Sequence, residues 1–214
     1  MSEADKAPAE EPNELVATEQ MLAKAIGGWR GMLDSGLPTA VFLLGFTVGG
    51  GNLSVAAGAA VAVAAVIAGV RAVQRRSLQQ VLSGLIGVAV SAYFATRTGK
   101  AEDYFIPSLL TNLAYGLVIA VSALVRYPVL GFVIGGLLGD LLAWRGDPAK
   151  LRLYTRLSWL WVGVFALRLI VKTPLYFLGN VQLLGTVHLI MSWPLYLAAV
   201  YVTYRAVRVS KSAE

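Results

Sequence analysis

The chain has no cysteine in 214 residues, which excludes disulfides, thiolate metal sites and iron–sulfur clusters. Its single histidine, His188, rules out a histidine pair, and no carboxylate stands at metal-ligand spacing from it. No G-x-x-x-x-G-K-[ST] phosphate loop occurs, and no serine triad has support. The N-terminus lacks the basic start and small-residue cleavage site of a signal peptide, so it is expected to be retained. Charge is scarce as well. Only 14% of residues are Asp, Glu, Lys or Arg and 57% are apolar, whereas soluble domains run at about 25% and about 45–50%.

What remains is sequence suited to a hydrocarbon solvent. Apolar runs of membrane-spanning length, about 20 residues each, predict an all-α fold, a polytopic helical membrane bundle. Positions 1–20 hold Glu3, Asp5, Glu10, Glu11, Glu14 and Glu19 with two prolines and few large apolar residues, and read as a disordered acidic tail. Over 21–35, Leu22, Ile26, Trp29 and Leu33 make one apolar stripe, as in a helix lying in the membrane interface or in an extension of the first span. The transmembrane domain is expected over 36–205, with a second cytoplasmic tail over 206–214. Its spans fall at 37–50, 53–73, 78–96, 105–125, 158–178 and 181–204.

Loop charge orients these spans. Arg71, Arg75 and Arg76 after the second, Arg126 after the fourth, and Arg205, Arg208 and Lys211 after the last mark cytoplasmic ends, with both termini inside. The net charge of +6 is therefore topological, and no nucleic-acid partner is expected. The stretch from Tyr127 to Trp144 is the exception. If it crossed, Arg145, Lys150, Arg152 and Arg156 would lie outside against Asp147 alone, in breach of the positive-inside rule. It also contains Asp140, which costs about 2.5–3.5 kcal/mol at a helix centre. The expectation is six crossings plus a re-entrant or interfacial glycine-rich element that does not cross. Its Gly131, Gly135 and Gly139 are spaced for close helix packing, as are Ser83, Gly87, Ser91 and Ala95 in the third span.

Arg168 and Lys172, one turn apart in an apolar helix, are the sharpest local signal, because an intramembrane ionisable group is by default a functional-site hypothesis. Arg168 is central and needs an anion, with Asp140 the expected partner; Lys172 lies nearer the outer end, within snorkelling reach. In the fourth span, Ser108, Asn112, Tyr115 and Ser122 share a polar face, so Asn112 and Tyr115 are candidates to complete the site. His188 lies at about the depth of Lys172 and either relays protons or bonds a nearby hydroxyl or carbonyl. Two readings stay open, a structural ion pair and a site for an anionic group. No catalytic residue, metal or cofactor is expected.

The order of features also resembles the intracellular septation protein A family of bacterial inner-membrane proteins, and more narrowly an uncharacterised actinobacterial membrane family. The resemblance is carried by Leu33-Asp34 with Leu37-Pro38, Val70-Arg71, Asp103 before Phe105-Ile106, Pro128 with Leu130, and Trp161 with Phe165. In that family the region after span four is a short polar connection; here it is a long apolar glycine run. The resemblance implies a non-enzymatic protein of the bacterial plasma membrane. Its role would be in envelope maintenance or septation, through contacts with membrane lipids and with envelope or division proteins. A homo-oligomer is allowed. The residue pattern leaves a second function open, a small carrier or channel for an anionic or lipidic solute.

Overall fold

A computed structural model describes residues 28–74, 78–137 and 141–211. The acidic segment 1–20, the first part of the expected interfacial helix, Arg75, Arg76, Gly139 and Asp140 lie outside the described residues. The described chain is helical throughout: α1 (Gly28–Val48), α2 (Leu53–Val73), α3 (Leu78–Thr98), α4 (Ile106–Leu124), α5 (Val129–Leu137), α6 (Pro148–Phe177) and α7 (Val181–Lys211), with short 3-10 turns at Ala101–Phe105 and Ala143–Gly146. By length and composition, α2, α6, most of α7 and the stretch Ala101–Leu124 can cross a membrane, and Gly36–Val48 is a shorter apolar helix. The outer surface agrees: Leu44, Val66, Ile170 and Ile190 are each more than 60% exposed, an arrangement that suits lipid and not water.

Two element boundaries differ from the sequence expectation. Helix α1 passes through Asp34, Gly36 and Pro38 without a break, so the described part of the interfacial helix is continuous with the first span. Helix α6 starts ten residues before the expected 158, at Pro148, and takes in the basic segment. Asp147 starts it, accepting from the Ala149 and Lys150 amides at 2.7 and 3.4 Å, with Pro148 in the first turn where no amide is missed. At 30 residues, about 1.5 Å each, α6 is longer than the roughly 30 Å hydrocarbon core, so its basic first turns extend beyond it.

The stretch from Tyr127 to Trp144 turns back on itself. Arg126 closes α4 in the left-handed region (φ 56°), with the Tyr127 amide bonded to the Ser122 carbonyl. Helix α5 has nine residues, far short of a span. Trp144 then packs on Gly131, and the Arg145 guanidinium lies 3.9 Å from the centre of the Tyr127 ring. The two ends of the run meet, where a straight helix of that length would hold them about 27 Å apart.

Helices α1 and α2 form an antiparallel pair in which the backbone of Ala56 comes within 3.2 Å of where a Gly45 Cβ would lie. Ala56, Ala57, Ala60 and Ala64 line the buried face of α2, and small residues let such helices approach closely in lipid. The matching seam on α3 is buried at Ala95 and exposed at Gly87. An apolar core at one end joins Phe42, Tyr104, Phe105, Val181 and Leu184, with the Phe42 and Tyr104 rings stacked at 3.9 Å. A second core at the other end joins Leu130, Ile134, Trp144, Tyr154 and Leu157 to the returning segment. The antiparallel order brings the C-terminal ends of α2, α4 and α7 together with the N-terminal end of α6. Arg71, Arg126, Arg145, Arg152, Arg156, Arg205 and Arg208 therefore gather at one end of the bundle.

A Cβ added at Gly131 would sit 2.7 Å from the Trp144 ring, whereas at Gly58 nothing lies within 4 Å. Gly131→Ala is expected to cost about 1–3 kcal/mol through overpacking, read as a lower unfolding temperature in detergent. Gly58→Ala, inside α2, should not lower that temperature.

Candidate functional site

Between the two apolar cores lies a polar layer drawn from α4, α6 and α7. Arg168, Lys172 and Tyr176 recur at one-turn spacing along one face of α6, and each meets a different partner. Arg168 is 4% exposed, and its Nη2 donates to the backbone carbonyls of Met191 and Ser192 at 2.5 Å each. Those carbonyls precede Pro194, which lies inside α7 and offers no N–H to the carbonyl one turn back, a local loosening that makes carbonyls accessible. The guanidinium also lies 3.9 Å from the centre of the Tyr196 ring, a cation–π contact that strengthens on desolvation.

Lys172 is 1% exposed, so it does not snorkel. Its Nζ lies 3.2 Å from His188 Nδ1; an ammonium only donates, so Nδ1 is the acceptor and the ring proton falls on Nε2. The Ser108 hydroxyl is 3.5 Å from the same Nδ1, and the Phe105 ring closes the histidine in at 5.4 Å. Asn112, 6% exposed, donates from Nδ2 to the Ser108 carbonyl at 2.6 Å. Its Oδ1 and the Nε of Arg168 are buried without a hydrogen-bond partner.

The expected residues thus divide. Arg168, Lys172, Asn112 and His188 come together. Tyr115 does not: it is 56% exposed and its ring packs beside Phe165 at 6.0 Å. The face of α4 that meets α6 is set by Gly116, where an added Cβ would lie 3.3 Å from the Phe165 Cβ, and this leaves Tyr115 at the rim. Asp140, the expected partner of Arg168, lies outside the described residues.

Two groups join the layer that the sequence did not single out for it. Asp103, 4% exposed, accepts from the Tyr176 hydroxyl at 2.6 Å. Tyr196 is the other, one turn beyond Ser192. Pro194 facing a central arginine was the available signal for the carbonyl partners. Of the described carboxylates, Asp103 is engaged by Tyr176 and Asp147 caps α6, and none pairs with Arg168 or Lys172 among the described residues. An open cleft lined by Phe46, Lys100, Glu102, Gly179 and Gln182 lies at the Phe42 end of the bundle, away from the arginine.

Residues 26–214 match the model of a family described as a protein of unknown function, DUF3159. No curated protein and no solved structure matches the chain. The matched family is not the septation protein A family, and no comparison supports kinship with the latter.

Tyr176→Phe removes the donor to a buried carboxylate. It is expected to cost about 1.5–3 kcal/mol, the range for a hydrogen bond to a charged group, measured as loss of thermal stability in detergent relative to an exposed Tyr201→Phe control.

Proposed function

The chain belongs to the DUF3159 family of unknown function, and from that premise we propose an integral membrane protein that binds a small anionic group between α4, α6 and α7, as a carrier or channel would. One observation carries this reading: Arg168 and Lys172 are almost wholly buried, one turn apart, with no carboxylate paired to either among the described residues. Charges out of water cost several kcal/mol each unless compensated. Carbonyl dipoles and the Tyr196 face offset part of this for Arg168; an anion would offset the rest for both.

The protein is read as non-enzymatic, a reading supported by the residue pattern, which offers no catalytic constellation. The pattern shared with septation protein A supports a setting in the bacterial plasma membrane and a role in envelope maintenance or septation, with lipids and envelope proteins as partners. Six crossings, α1 to α4 with α6 and α7, put both termini on the side that carries the basic end. The positive-inside rule makes that side cytoplasmic.

Purified protein should be thermally stabilised by at least one of chloride, sulfate and inorganic phosphate. Lys172→Met should weaken that binding about 10-fold or more, the loss expected from one charge-assisted contact, while the variant remains monodisperse. If no anion stabilises the wild type and none enters proteoliposomes, the reading is wrong. For topology, a Lys150→Cys label should be reached only from the cytoplasmic side; labelling from outside would invert the C-terminal half.

A further inference from the structure

We propose that the group this site takes is a protonated oxyanion, one that carries negative charge and also an O–H: hydrogen phosphate, the monoanion of a phosphate monoester, or hydrogencarbonate. This rests on the anion-binding reading above and narrows it. Two buried polar atoms of the layer lack partners, and they are of opposite kind. The Arg168 Nε–H is a donor and needs an acceptor; Asn112 Oδ1 is an acceptor and needs a donor. The orientation of the Asn112 amide is not arbitrary, because its other end lies 2.6 Å from the Ser108 carbonyl, which only accepts. Nδ2 must face that carbonyl, and Oδ1 is left unpaired.

The two atoms belong to facing turns. Gly116 meets Phe165 across the α4–α6 contact. The helices run antiparallel, so one turn back along α4 places Asn112 opposite the turn of α6 that carries Arg168. Lys172 follows on the same face, and its ammonium adds the second positive charge. A chloride ion supplies acceptors only. So does sulfate at neutral pH, and so does the phosphodiester of most phospholipids; each would neutralise the cations and leave Asn112 Oδ1 buried and unpaired. A site built around a hydrogen bond to a ligand O–H discriminates strongly against a ligand that lacks it, because its own polar group is then stranded.

The experiment uses the full chain in detergent at neutral pH. Inorganic phosphate and sulfate are the first pair, alike in shape but differing in the O–H; hydrogencarbonate and nitrate repeat the comparison at smaller size. We expect the O–H member of at least one pair to bind about 10-fold or more tighter. Asn112→Leu should remove that preference by lowering the affinity of the O–H member about 10-fold, to the level of its partner. If both members of both pairs bind equally in the wild type, the proposal is overturned and the anion-binding reading stands. If no anion binds, both fall, and the two atoms share a water molecule instead. Should Asn112→Leu not fold, the wild-type preference within each pair decides alone. Displacement of bound phosphate by short-chain phosphatidic acid, and not by the matching phosphatidylglycerol, makes the source a lipid headgroup; phosphate binding without displacement makes it a free solute.

Discussion

The contact between Arg168 on α6 and the carbonyls of Met191 and Ser192 on α7 is the constraint around which the middle of this bundle is arranged. Apolar side chains give helices in lipid little reason to prefer one neighbour, because the tails are as apolar as they are. A buried guanidinium has no such indifference: it must find acceptors, and only certain rotations of α7 offer them. Pro194 withholds an N–H from the Ile190 carbonyl one turn back, which loosens the turn that carries those acceptors. With α6 and α7 held in that register, Lys172 meets His188, and Tyr176 at the next turn reaches Asp103.

The apolar parts of the fold follow from shape. Gly45 against Ala56, Gly116 against Phe165 and Gly131 against Trp144 are three places where a glycine admits a neighbour that any side chain would hold away. The first joins α1 to α2, the second sets the face that α4 turns to α6, and the third folds the returning segment onto itself. Dispersion contacts are individually small and collectively large, so these close approaches account for the two cores that bracket the polar layer. The segment that begins at Tyr127 closes at Arg145 by a cation–π contact, and both of its ends stay with the other basic residues.

Much of this was legible in order along the chain. The period of the apolar residues gave the helices, and loop charge with the length of the Tyr127 to Trp144 run pointed to a re-entrant or interfacial element. The depth of His188 counted from its helix end matched Lys172. Boundaries were less legible. The Asp147-Pro148 start of α6 is a local N-cap signal that the basic residues after it obscured, and α1 runs through Pro38 because that proline removes only one of many bonds in a helix held by its neighbours.

By itself, then, the amino-acid order determined the solvent, the helices, the gathering of basic residues and the presence of two cations in an apolar segment. Each depends on composition or on periodicity within one helix, and both are local. Which atoms those cations touch was decided only by tertiary structure. Partners depend on the rotation and register of α4, α6 and α7 about one another, and these are set by close approaches between residues far apart in sequence. The close approach at Gly116 leaves Tyr115 at the rim and brings Asn112 inward, with its oxygen buried and unpaired.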